Sequence, residues 1–184
     1  QTLLQSRWPQ LPVIHLSYAE AFERFAGLAV HQASDADLAS HGMALAGQDL
    51  QLSRDGWLDI IMSHQIEPAL PADTLVFIRD FPSSQAALAR VEQQGAQLVA
   101  RRFELFLNGN ELANGYHELN DATEQRQRFL KEAGGRPIDE ALLAALDHGL
   151  PDCCGVAMGL DRLLMLASDS HSIAEVLAFD WQRA

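Results

Sequence analysis

Lysine is almost absent from this chain. Thirteen basic residues occur among 184, and Lys131 is the single lysine; the rest are arginines. Twenty-five acidic residues oppose them, for a formal net charge of -12. So acidic a chain lacks the clustered cations that neutralise phosphates, which weighs against nucleic acid as a partner. Cysteine is scarce too. Cys153 and Cys154 are adjacent, and a disulfide between neighbours strains the peptide that links them. No CxxC or Cys/His cluster suggests zinc, and His31, His41 and His64 have no ligand spacing. No apolar run approaches the ~20 residues that span a bilayer, and no secretory leader is visible. No membrane association is expected, and the expected location is the cytoplasm. The chain opens at Gln1 rather than Met, so it is expected to be a piece of something longer.

What is present is the composition of a folded protein, 48% hydrophobic and 21% charged. Residues 1–16 read as irregular, with Pro9 and Pro12. Ser17-Tyr18-Ala19-Glu20 has the Ser-x-x-Glu form of a capping box, with Phe22 and Phe25 facing inward on the helix it starts. Further helices are expected over 35–46 and 54–66, the latter closed by Pro68. Residues 1–70 therefore read as a helical insert or appendage to a domain over 71–184. TLVFIR (74–79) reads as a buried strand. Asn108-Gly109, between two strand-like runs, is the preferred two-residue hairpin turn. Helices follow over 121–133, where Asp121 can cap, and over 138–150. A Gly-punctuated strand leads into a helix from about 160. The expected fold class is α+β, an antiparallel sheet flanked by helices.

The hairpin carries a geometric inference. With Asn108 and Gly109 as turn residues, Leu107 pairs with Asn110, Phe106 with Glu111, and Glu104 lies opposite Ala113. Side chains alternate faces along a strand. Glu104 and Glu111 then become diagonal neighbours on one face, with Cα atoms roughly 7–8 Å apart. Two long carboxylates at that spacing can converge on a hard divalent cation such as magnesium. The same pattern also fits two glutamates on a solvated sheet face. A second constellation is GVAMGLDR, 155–162. Gly155 and Gly159 permit close backbone approach, and Arg162 near a helix start can grip a phosphate. Tight strand–helix packing with Arg162 paired to an acid fits it equally.

Together these motifs meet a known family. FELFLNGNELANGYHELNDATEQRQRF and GLPDCCGVAMGLDRLLML resemble the catalytic domain of class II lysyl-tRNA synthetases, from about Leu75 to Trp181. The resemblance is closer to one branch, the truncated synthetase paralogues that attach β-lysine to elongation factor P. FPSSQAALA (81–89) matches a segment that marks this branch. So do Ala113, where true synthetases usually have Gly, Ala157 within the third motif, and the ending Arg183-Ala184. One methyl group in a tight pocket alters discrimination modestly.

The resemblance implies ATP and magnesium as cofactors. It implies that Glu104 and Glu111 hold the metal and position the ATP phosphates. Asn114, Tyr116 and Glu118 would line the substrate pocket beside Ala113, with Glu118 pairing to a substrate ammonium. Arg162 would contact the γ-phosphate, and Gly155 and Gly159 would leave room for the adenosine. Glu111 and Arg162 would be the catalytic pair. Ala113 and Asn114 cannot both face one pocket along a regular strand, so a bulge or twist is expected near Gly115. His117 reads as structural. The implied partners are β-lysine or lysine and elongation factor P as acceptor, with a homodimer in the intact protein. The first and second class II motifs, which build the dimer interface and grip the α-phosphate, are not found. The piece alone is therefore expected to have little activity. Two other readings stay open: a fragment of an ordinary lysyl-tRNA synthetase, and a non-catalytic paralogue acting as a binding module.

Overall fold

The computed structural model describes residues 2–181; the expected family ending at Arg183-Ala184 lies outside them. A six-stranded sheet organises the chain in the order β1-β2-β4-β5-β6, with β3 off that path and paired to the first half of β4. The strands are β1 (Val13–Ser17), β2 (Leu75–Pro82), β3 (Val91–Gln94), β4 (Gln97–Leu107), β5 (Asn110–His117) and β6 (Cys154–Met158). Every pair is antiparallel except β1 with β2. The sheet is thus mixed at the edge where the chain first enters it. The expected α+β architecture is present, with helices on the sheet's flanks.

Apolar residues cover both faces of β2, which explains why LVFI reads as a continuous run rather than an alternating one. On one face Val76, Ile78 and Phe106 join a core with Tyr18, Phe22, Leu38, Trp57, Leu58, Ile61 and Ile66. These come from α2 (Tyr18–Ala26), α3 (Asp35–Ala46), α4 (Arg54–Ile61) and its π-helical continuation Met62–Ile66. The last turn of that run is α5 (Glu67–Ala69), so the helix reaches slightly past Pro68 rather than stopping before it. On the opposite face Leu75, Phe77, Leu105, Leu107, Leu112 and Ala113 pack with Leu4 of α1 (Thr2–Arg7). Leu163 and Leu166 of α8 (Leu160–Ala167) complete that second layer.

Residues 2–16 are more ordered than their composition suggests, because they contribute α1 and most of β1. The segment read as an appendage therefore places a strand in the sheet, and its helices share one core with β2 and β4. The start of α2 follows the expected capping box. Ser17 Oγ accepts from the Glu20 amide at 3.2 Å, and the Glu20 carboxylate accepts from the Ser17 amide at 2.6 Å. Further along, α6 (Ala122–Ala133) is capped by Asp121, and α7 (Glu140–His148) turns Leu143 and Leu146 inward.

Candidate functional site

The hairpin between β4 and β5 turns as its sequence predicts. Asn108 and Gly109 both have positive φ, 50° and 71°, and Leu107 pairs with Asn110. This left-handed pair is what a tight hairpin needs, and Asn-Gly adopts it at low cost. Phe106 pairs with Glu111 as expected.

Beyond that point the register departs from the simple alternation. Leu105 pairs with Ala113 and Glu104 with Asn114, so one residue of β5 is extra around Leu112. The sequence reading placed Glu104 opposite Ala113 and expected irregularity near Gly115; the bulge comes earlier, next to Glu111. Its consequence is large. A one-residue slip flips every following side chain to the other face. Asn114, Tyr116 and Glu118 consequently alternate onto the face of Glu104, while Ala113 turns away. Ala113 is 3% exposed and packs with Leu105 and Leu112 in the second core. Ala113 also borders a hollow that it shares with Glu111, Asn114 and Arg162.

Glu104 and Glu111 both line a hollow of about 240 Å³ between the sheet and the helices. Arg102 Nη2 donates to Glu104 Oε1 at 2.5 Å, and the same guanidinium lies over the Phe81 ring, 4.5 Å from its centroid. Burial pushes the Glu104 carboxyl up to about 7, with the Arg102 charge opposing and that of Glu111 reinforcing. Glu111 borders a second hollow as well, of about 280 Å³, where it meets Asn114, Ala157, Gly159 and Arg162. Arg162 Nη1 donates to the Glu111 carbonyl oxygen at 2.8 Å and stands 3.6 Å from its carboxylate. Glu111 thus stands between the partner of Arg102 and the guanidinium of α8.

The glycines of GVAMGLDR serve different ends. Gly155 pairs with Tyr116 across β5 and β6. A Cβ built there would fall 2.1 Å from Glu118 Oε1. The space left by Gly155 is therefore filled by the Glu118 carboxylate, where the resemblance implied room for adenosine. Gly159 opens α8, and its amide donates to the Leu112 carbonyl at 2.9 Å, tying the helix to the bulge. His117 bonds Asp152, an arrangement that accords with a structural role.

The donor set, two carboxylates bordering one hollow, offers the oxygen ligands that magnesium prefers. Among the described residues no group of three or more His, Cys, Asp or Glu side chains is placed to enclose a metal. Any ion here would be shared with a ligand rather than caged by protein. A hollow of about 310 Å³ on the other face, between His15, Phe77, Arg79 and Phe103, touches only Tyr116 of the candidate residues. The helical wall of the 240 Å³ hollow brings in Tyr18, Asp59 and Glu67, which sequence reasoning did not single out as site residues. Their positions, far upstream and on helices, carried no spacing signal that could have linked them to the hairpin.

Comparison with known proteins gives a consistent result. Residues 5–183 match the family of tRNA synthetases class II (D, K and N). A protein of Edwardsiella ictaluri named elongation factor P–(R)-β-lysine ligase is 47% identical over 74% of this chain and 44% of its own length. Proteins of the same name from Klebsiella pneumoniae and Pectobacterium carotovorum are 42% and 41% identical. They match 99% and 92% of this chain, and 59% and 55% of their own lengths. The chain thus spans little more than half the length of the relatives it matches most fully. No described helix is long and apolar enough to cross a membrane.

Proposed function

Because the chain belongs to the class II tRNA synthetases (D, K and N), we propose that it forms part of an ATP-dependent ligase that activates a lysine-type amino acid, β-lysine, and transfers it to a lysine of elongation factor P. The observation that carries this reading is the grouping made by the bulge at Leu112. It puts Asn114, Tyr116 and Glu118 on the face of Glu104, with Glu111 and Arg162 at its edge.

In this proposal the substrate carboxylate attacks the α-phosphorus of ATP and pyrophosphate leaves. The mixed anhydride so formed, an acyl-AMP, then passes its acyl group to an acceptor ε-amine, and AMP and the amine's proton leave. Magnesium, when bound, supplies positive charge against the phosphates. Glu104 and Glu111 would hold it, and Arg162 would take the outer phosphate with its planar donors. Glu118, seated against Gly155, would pair with the substrate ammonium, and Asn114 and Tyr116 would fix its orientation. The protein's task is placement and charge neutralisation. The acidic surface suits a protein acceptor better than tRNA. A homodimeric parent, a cytoplasmic location and a division near residue 70 belong to the same proposal, as does low activity of this piece alone.

The test is ATP–pyrophosphate exchange dependent on β-lysine. It compares this chain with a version extended upstream to the full length of its relatives, followed by transfer to elongation factor P. Exchange by the extended protein with β-lysine and transfer to the protein supports the reading. Exchange with α-lysine alone and charging of tRNA would replace it with the synthetase reading.

A further inference from the structure

The helical side of the 240 Å³ hollow holds chemistry that the ligase reading leaves unused. Tyr18 is 1% exposed and lines the hollow, yet its hydroxyl has no hydrogen-bond partner among the described residues. Buried hydroxyls are almost always satisfied, so an orphan aimed into a cavity points to something that completes it. The carboxylate of Glu67, half-buried on the same wall, makes no hydrogen bond or ion pair among the described residues. Burial raises its carboxyl, and the Glu111 charge adds to that. Among the described residues the Asp59 carboxylate is held only by the side-chain amide of Gln85, at 2.8 Å. Four carboxylates, Asp59, Glu67, Glu104 and Glu111, thus face a hollow whose one lining guanidinium, Arg102, is bonded to Glu104 through Nη2, while its buried Nε lacks a partner among the described residues. Arg162 offsets Glu111 from outside the hollow, and His64 lies near Glu67.

The missing partner is a cation, and the walls indicate its kind. Met62, Phe81 and the Tyr18 ring line the same space. Magnesium held by Glu104 and Glu111 would leave Asp59, Glu67 and the Tyr18 hydroxyl on the helical wall unmatched, and it makes no use of the apolar walls. An ammonium on an aliphatic stem uses both features: carboxylates and a phenol oxygen accept from its three N–H groups, while the methylenes lie against apolar surface.

We propose that this hollow is a subsite for a primary alkylammonium group, held by the Glu67 and Asp59 carboxylates and the Tyr18 hydroxyl, with its stem against Met62 and Phe81. It is distinct from the place opposite Gly155 where Glu118 sits. The ligase reading enters only in naming where such a group comes from: a free lysine-type amino acid, or the lysine side chain of an acceptor protein.

The probe is 1,5-diaminopentane, titrated into this chain by calorimetry at constant ionic strength without ATP. Saturable binding is expected. Tyr18→Phe, which keeps the ring, and Glu67→Gln should each weaken it at least fivefold. Tyr18→Phe should also melt no lower than the parent, since it removes only an unpaired hydroxyl; Asp59→Asn stands in if Glu67→Gln fails to fold. Absence of saturable binding overturns the proposal. So does binding that Glu118→Gln abolishes while Tyr18→Phe and Glu67→Gln leave it intact. Competition by β-lysine assigns the subsite to the free amino acid, and competition by an Nα-acetyl-lysine amide assigns it to an acceptor side chain; both support it. Probe binding that survives while the extended protein shows no pyrophosphate exchange would defeat the ligase reading and leave the subsite standing.

Discussion

Arg162 on α8 reaches back across the sheet edge to Glu111 on β5, donating to its carbonyl oxygen at 2.8 Å while lying 3.6 Å from its carboxylate. The backbone contact fixes the guanidinium whether or not the carboxylate is occupied elsewhere. A ligand that draws Glu111 away would therefore find Arg162 still in place. Arg162→Ala in the extended protein should lower pyrophosphate exchange by about 10²–10³-fold, the usual loss when a preorganised charge donor is removed. Arg162→Lys should recover only part of it, since an ammonium cannot hold the carbonyl and a phosphate with one planar fork. Steady-state exchange rates for the two variants provide the check.

Gly155 and Gly115 make a paired test of substrate space against structure. At Gly155 an added methyl meets the tip of Glu118, a side chain that can swing aside. Gly155→Ala should leave the melting temperature nearly unchanged and raise the KM for the amino acid. At Gly115 the methyl would meet the Phe103 ring at 2.4 Å and the Gly155 carbonyl at 2.8 Å. Neither can yield easily, so Gly115→Ala should destabilise the fold by about 1–3 kcal/mol. Urea unfolding of both variants, together with substrate titrations, separates the two effects.

The start of α2 is a third point of leverage, because the helix carries Tyr18 and Phe22 into the core. Ser17→Ala removes one half of a reciprocal cap and should cost about 1 kcal/mol. The Ser17 amide, bonded to the Glu20 carboxylate, holds that carboxyl below its ordinary value. A depressed folded-state value contributes stability above the unfolded one and loses it as pH falls. The part of the cap that depends on Glu20 should accordingly fade below about pH 4, its ordinary carboxyl range. Thermal melts of Glu20→Ala and its parent between pH 3.5 and 7 would show the difference narrowing as pH falls.

These features differ in how visibly they are written in the chain. The Asn108-Gly109 turn and the Ser17–Glu20 cap are local codes, each satisfied by residues within four positions, and both occur where the sequence places them. The bulge at Leu112 is not local. An extra residue in an alternating strand leaves no compositional mark, and only pairing with β4 and the hold of Gly159 on the Leu112 carbonyl reveal it. β1 escaped notice for a related reason. VIHLS is short, follows Pro12, and becomes a strand only because β2, sixty residues later, offers it an edge. Glu67 joined the hollow through the same long-range packing, which no spacing rule could have anticipated.

Glu104 offers a pH signature. Burial lifts its carboxyl to about 7, above the ordinary value of 4.5. The folded chain therefore holds a proton there that the unfolded chain gives up. The resulting stability is fully present below about pH 4.5 and is lost as pH rises through about 7. Glu104→Gln keeps the neutral form at every pH, so its stability should be flatter between pH 5 and 8 than that of the parent. The two should match best at the acid end. Urea midpoints at pH 5, 6.5 and 8 test this directly: equal slopes for parent and variant would mean that Glu104 is ionised throughout, with Arg102 outweighing burial. Magnesium should stabilise the parent more at pH 8 than at pH 5, because a protonated carboxyl must lose its proton before it can serve as a ligand, and Glu104→Gln should weaken that pH dependence.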